Sequence, residues 1–84
     1  MTEHYSFIAF ESTHDAIGSE QRLQKAGFSV RIIPAPPQIA AGCGLALRFS
    51  PTDYEKILPL MEEVTDKAFY QVLREGRKKE ILPL

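Results

Sequence analysis

Pro34-Ala35-Pro36-Pro37-Gln38-Ile39-Ala40-Ala41-Gly42-Cys43-Gly44 divides this chain into two halves of similar pattern. The stretch holds three of the six prolines, two of the five glycines and the only cysteine. Each proline fixes its own φ and pushes the residue before it toward an extended form, so the segment is a stiff loop. Glycine on either side of Cys43 removes Cβ atoms that would crowd the sulfur and permits backbone angles closed to other residues. Immediately outside the loop lie two runs with the period of a strand. Phe28-Ser29-Val30-Arg31-Ile32-Ile33 places Phe28, Val30 and Ile32 on one face, and Leu45-Ala46-Leu47-Arg48-Phe49 places Leu45, Leu47 and Phe49 inward and Arg48 outward.

One step further out the pattern becomes helical on both sides. Ser12-Thr13-His14-Asp15 has helix-start chemistry, a Ser or Thr cap with an acid in the first turn. The spacing predicts a helix to about Ala26, with Ala16, Ile17, Leu23 and Ala26 on its inner face and Gly27 as the residue that ends it. Gly18, inside this helix, costs roughly 1 kcal/mol relative to Ala and suggests close packing. After the loop, Ser50-Pro51-Thr52-Asp53 is a second start, with Ser50 as cap, Pro51 at the first position and Asp53 completing the cap. Tyr54, Ile57, Leu58, Met61 and Val64 share one helical face, and Pro59 is expected to kink or interrupt it. The outermost runs are again strands: Tyr5-Ser6-Phe7-Ile8-Ala9-Phe10, apolar enough for a central position, and Ala68-Phe69-Tyr70-Gln71-Val72-Leu73.

The order β-α-β-β-α-β predicts an α+β, ferredoxin-like sandwich with two helices on one face of a four-stranded antiparallel sheet. Residues 1–74 form this domain and residues 75–84 a charged tail with an apolar end. Because each β-α-β unit is a crossover, the end of the first strand, the start of the first helix and the proline loop fall at one edge. Cys43 is thereby expected near Ser12, Thr13 and His14, with the basic tail at the other end.

Composition narrows the function classes. The chain has 84 residues, 44% hydrophobic and 25% charged, which fits one soluble globular domain. A net charge of −1 gives no broad basic field for nucleic acid. A single cysteine forms no internal disulfide, no apolar run approaches the ~20 residues that cross a membrane, and Met1-Thr2-Glu3-His4 lacks signal-peptide character. A reducing cytoplasm fits these features. No phosphate-binding glycine loop, RNP-like aromatic pattern or set of metal-ligand spacings is present; Cys43, His14 and His4 are too scattered, so no metal and no cofactor is expected.

Cys43 is the candidate functional atom. Thiolate is the reactive form, and a cysteine at the ordinary value of about 8.5 is only ~3% ionised at neutral pH. A helix N-terminus contributes ~0.3–1 kcal/mol toward an anion, less than the ~2 kcal/mol that would make thiolate abundant. The candidates for further stabilisation are His14, Arg31 and Arg48, the Ser12 and Thr13 end of the helix, and a nest of N–H groups from Gly42 through Gly44 to Leu45. Each has a plainer role as well. A lone intracellular cysteine often serves as a small buried hydrophobe, Ser12 and Thr13 serve as caps, and exposed arginines are commonly just solvated.

Ser12-Thr13-His14-Asp15-Ala16, Ala26-Gly27, Ile33-Pro34-Ala35-Pro36 and above all Gly42-Cys43-Gly44-Leu45-Ala46-Leu47-Arg48-Phe49 resemble the small DUF3343 proteins, described as selenium/sulfur carrier-like. The resemblance runs from about Tyr5 to Val64. It implies that Cys43 holds sulfur or selenium as a persulfide or selenosulfide. The chain is then a carrier more than a stand-alone enzyme, loaded by a cysteine desulfurase-type donor and unloaded onto a sulfur- or selenium-accepting enzyme. A different class of function is a non-catalytic interaction or small-anion-sensing module in which the cysteine is structural and the arginines bind the anion. A third is a redox sensor whose chains join through Cys43. Exposed strand edges leave a homodimer open, and neither nucleic acid nor a membrane is an expected partner.

Overall fold

A computed structural model of the protein describes residues 2–39 and 42–84, except the side chains of Thr2 and Glu3; Ala40 and Ala41, quoted above as part of the proline loop, lie outside the described residues. Five strands and two helical segments follow one another: β1 (Thr2–Phe10), α1 (Thr13–Lys25), β2 (Arg31–Pro34), β3 (Leu45–Phe49), a short helical segment containing α2 (Tyr54–Ile57), β4 (Lys67–Glu75) and β5 (Lys78–Pro83). The sheet order is β2-β3-β1-β4-β5, and every neighbouring pair is antiparallel. β1 is central, as its apolar run predicted, and residues 6–10 are all buried.

The structure corrects the four-stranded expectation. Residues 78–83, taken as part of a charged tail, pair along β4 from Glu75↔Lys78 to Tyr70↔Pro83. The connecting turn is Gly76-Arg77, with Gly76 at φ 60°. A positive φ at the first of two turn residues is the type II′ pattern, whose twist suits an antiparallel hairpin. An edge strand tolerates Lys78, Lys79 and Glu80 because only Ile81 must face inward, against Val72.

α1 forms as its caps dictate. Ser12 accepts the Asp15 N–H at 3.4 Å, and at the other end Phe28 N–H donates to Leu23 and Gly27 N–H to Gln24. With Gly27 at φ 95°, these two bonds make a Schellman motif. The buried stripe is Ala16, Ser19 and Leu23, narrower than the sequence suggested. Ile17 is 45% exposed, Ala26 is exposed, and nothing lies within 4 Å of where a Cβ on Gly18 would sit, so close packing is not the reason for that glycine.

The second helical segment is broken as Pro59 requires. Pro51–Asp53 and Leu58–Met61 are 3₁₀ turns flanking four α-helical residues, since Pro59 has no N–H to donate back along an α-helix. Ser50 makes no side-chain cap; its hydroxyl bonds that of Thr52 instead, at 2.9 Å. Ile57 and Met61 are buried nonetheless, and Tyr54 meets Phe69 edge-on at 5.4 Å. β2 also begins later than its alternation predicted, at Arg31, and the Val30 carbonyl before it accepts from the Gln24 side chain.

Both faces of the sheet carry apolar side chains. Ile8, Phe10, Leu47 and Phe49 pack beneath the helices with Ala16, Leu23, Ile57 and Met61. The opposite face has its own cluster of Phe7, Ala9, Ala46 and Val72, roofed by Tyr5, Ile33, Tyr70 and Ile81 and, from the proline loop, Ala35 and Ile39. The loop thus folds over the face that lacks helices.

Candidate functional site

The proline loop is closed at its neck by Ala35 N–H donating to the Gly44 carbonyl at 2.9 Å, one step beyond the Pro34↔Leu45 pair. Within it Ile39 N–H donates to Pro36, making a turn, and Pro36 itself is buried. Gly44 has φ 72°, a left-handed conformation that admits glycine without strain. This chain reversal sets Cys43 at the end of the sheet where β1 leaves for α1.

Cys43 is half-buried, with its side chain against the helix-side core. Its thiol lies 3.2 Å from the Phe10 carbonyl oxygen and 3.6 Å from that of Leu45, so the S–H is the donor toward both. These contacts tie the loop to the last residue of β1, two positions before the Ser12 cap. The sulfur is therefore neither sealed in the interior nor fully displayed. It sits at the rim of the core, tied to a β1 residue that lies two positions before the cap of α1.

Gly42 shows a neighbour that sequence reasoning missed. A Cβ there would clash with Oε2 of Glu11 and lie 3.2 Å from the Glu11 backbone oxygen. The glycine makes room for Glu11, whose carboxylate crosses the loop one residue from Cys43. Glu11 N–H in turn donates to the Asp66 carbonyl at the start of β4. The signal in the sequence is positional: Glu11 lies between a strand end and a helix cap, the place to which the topology brings the loop.

The other candidates are distributed differently. Thr13 and His14 are exposed in the first turn of α1, and His14 borders a small cleft with Asp15, Ser19, Arg22 and Val64, toward the second helical segment. Arg31 and Arg48 face each other across the β2–β3 ladder. Arg48 lies three residues along β3 from its Leu45 end, about 10 Å from it at ordinary strand rise. Its guanidinium stacks 4.1 Å from the Tyr5 ring centroid, and both arginines line a cleft with His4, Ser29 and Ser50 at the far end. The structure brings Gly42, Gly44 and the Ser12 end of α1 to Cys43; it does not bring His14, Arg31 or Arg48 there.

Among the described residues no group of three or more His, Cys, Asp or Glu side chains is placed to hold a metal ion, and no helix is long and apolar enough to cross a membrane. At the loop stands one half-buried thiol, flanked by glycines, at the end of the sheet. Comparison with known proteins bears on it directly. No curated protein and no solved structure matches the chain. A family model described as "Putative Se/S carrier protein-like" matches residues 5–75, from the first buried strand through the cysteine loop to the end of β4. With most of its length covered, including Gly42-Cys43-Gly44, the chain belongs to the Se/S carrier-like family.

Proposed function

We propose that the protein carries sulfur or selenium on Cys43 and hands it to an acceptor enzyme. The observation that supports this most is the family match across residues 5–75, which spans the chain's only cysteine. In this reading the frame is a ferredoxin-like β-α-β-β-α-β sandwich extended by β5, working in the reducing cytoplasm. The Cys43 thiolate attacks the terminal sulfur of a persulfide on a cysteine desulfurase-type donor. A new S–S bond forms as the donor's own S–S bond breaks, the donor cysteine leaves as thiolate, and no external oxidant is consumed. Unloading repeats the exchange in the other direction, onto the acceptor. Gly42 and Gly44 let the loop turn the sulfur away from the Phe10 and Leu45 carbonyls, and the N–H groups beside them and at the start of α1 stabilise the terminal chalcogen anion.

A second reading draws on the same contacts. A thiol packed against the core and donating to two carbonyls is what a structural cysteine does. Exposure to a desulfurase loaded with radiolabelled sulfur separates the two. On the carrier reading the wild-type protein acquires label and C43S does not. On the structural reading neither is labelled, and C43S shows only a loss of stability of about 1–2 kcal/mol.

A further inference from the structure

We infer a second site, for the phosphate group of a small phosphorylated molecule, at the end of the sheet away from Cys43. Arg31 and Arg48 are directly opposed in the β2–β3 register. Like charges in that position destabilise an antiparallel pair, so the ligand-free fold holds an unfavourable arrangement that a bound anion reverses. The two side chains border a cleft of ≈ 670 Å³ together with His4, Ser29, Ser50 and Pro51. Among the described residues no carboxylate lines this cleft, and the Arg22–Glu63 ion pair involves none of its lining residues. The Arg31 side chain has no hydrogen bond or ion pair among the described residues. Arg48 is held with its Cζ over the Tyr5 ring, a cation–π contact, and its side chain makes no hydrogen bond or ion pair among the described residues, so its N–H donors are available to a ligand.

The chemistry selects the ligand class. Two guanidinium forks supply two positive charges and parallel N–H donors, which suit the several oxygens of a phosphate dianion; a monocarboxylate would leave one charge unmatched. The Ser29 hydroxyl adds a neutral donor at the rim. The cleft is roomier than one phosphate ion needs, which leaves space for an organic group attached to it. A net charge of −1 supplies no long-range field to gather a polyanion, which favours a small molecule over nucleic acid. This site is independent of the carrier reading, since Cys43 has no part in it.

The test is a titration of the full chain with inorganic phosphate and with phenyl phosphate, followed by amide and arginine side-chain NMR and by the thermal midpoint. The expected result is saturable binding centred on Ser29, Arg31, Arg48 and Ser50, with a midpoint that rises with ligand. R31Q weakens binding by about tenfold or more while leaving the ligand-free midpoint equal or higher, because it removes the opposed charge. R48K retains more affinity than R48Q, and both R77Q, in the β4–β5 turn, and C43S bind as the wild type does. Shifts that never saturate, or R77Q weakening binding as much as R31Q, would mean diffuse attraction to surface charge and would overturn the proposal.

Discussion

Around Cys43 the decisive contacts are backbone ones. Carbonyls from the end of β1 and the start of β3 hold the thiol, and two glycines surround it for different reasons: Gly44 supplies a left-handed turn, and Gly42 clears space for Glu11. Replacing Gly42 by alanine must displace the Glu11 carboxylate and press on the Glu11 backbone oxygen. We expect G42A to cost about 1–2 kcal/mol in chemical denaturation. The cost should fall by at least half when Glu11 is also replaced by alanine, because the side-chain part of the clash is then gone. Equal losses in both backgrounds would place the strain elsewhere. The sequence made the glycines visible as unusual but not Glu11 as the reason for Gly42, since that contact joins residues 31 positions apart. His14, chosen for its nearness in sequence to the helix start, stands exposed in the first turn of α1 and borders a cleft with Arg22 and Val64.

The glycines of α1 make a contrasting pair. Gly27 closes the helix at φ 95°, whereas Gly18 sits mid-helix in open space. G18A should therefore stabilise the protein by about 0.5–1 kcal/mol through helix propensity. G27A should destabilise it by about 1–2 kcal/mol, the left-handed cost for a residue with a Cβ. Thermal or urea unfolding reads both, and the same sign for the two would contradict this account of the helix. Elements whose signals are local were legible: the Ser12 cap, the Schellman end, the apolar run of β1 and the break at Pro59. β5 was not, because an edge strand needs a single inward residue and its identity depends on pairing with β4. Only Gly76-Arg77, a glycine opening a two-residue turn, announced the hairpin. The late start of β2 was hidden as well, since it depends on pairing with β3 and not on the alternation of residues 28–33. Glu20 of α1 adds a feature of this kind, accepting the Ile32 N–H at 2.8 Å and so occupying part of the sheet's other edge.

For the molecule as a whole, the second core on the helix-free face matters most. Phe7 is 0% exposed there, stacked on Tyr70 at a centroid distance of 5.2 Å and sheltered within the cluster that the cysteine loop helps to cover through Ala35 and Ile39. F7A should cost about 3–5 kcal/mol, as a buried aromatic truncation does beneath a helix; a loss under about 1 kcal/mol would mean that this face is only loosely packed. The loop therefore has two attachments, an apolar one to the open face and a hydrogen-bonded one from Cys43 to β1, and the proposed transfer chemistry requires only the second to open. Its most direct test is intact mass spectrometry of the reduced protein after incubation with a cysteine desulfurase and either cysteine or selenocysteine. The carrier account predicts one added sulfur or selenium atom per chain, assigned to Cys43 by fragmentation and removed by a thiol reductant. An unchanged mass, under conditions where another persulfide carrier becomes loaded, would contradict it.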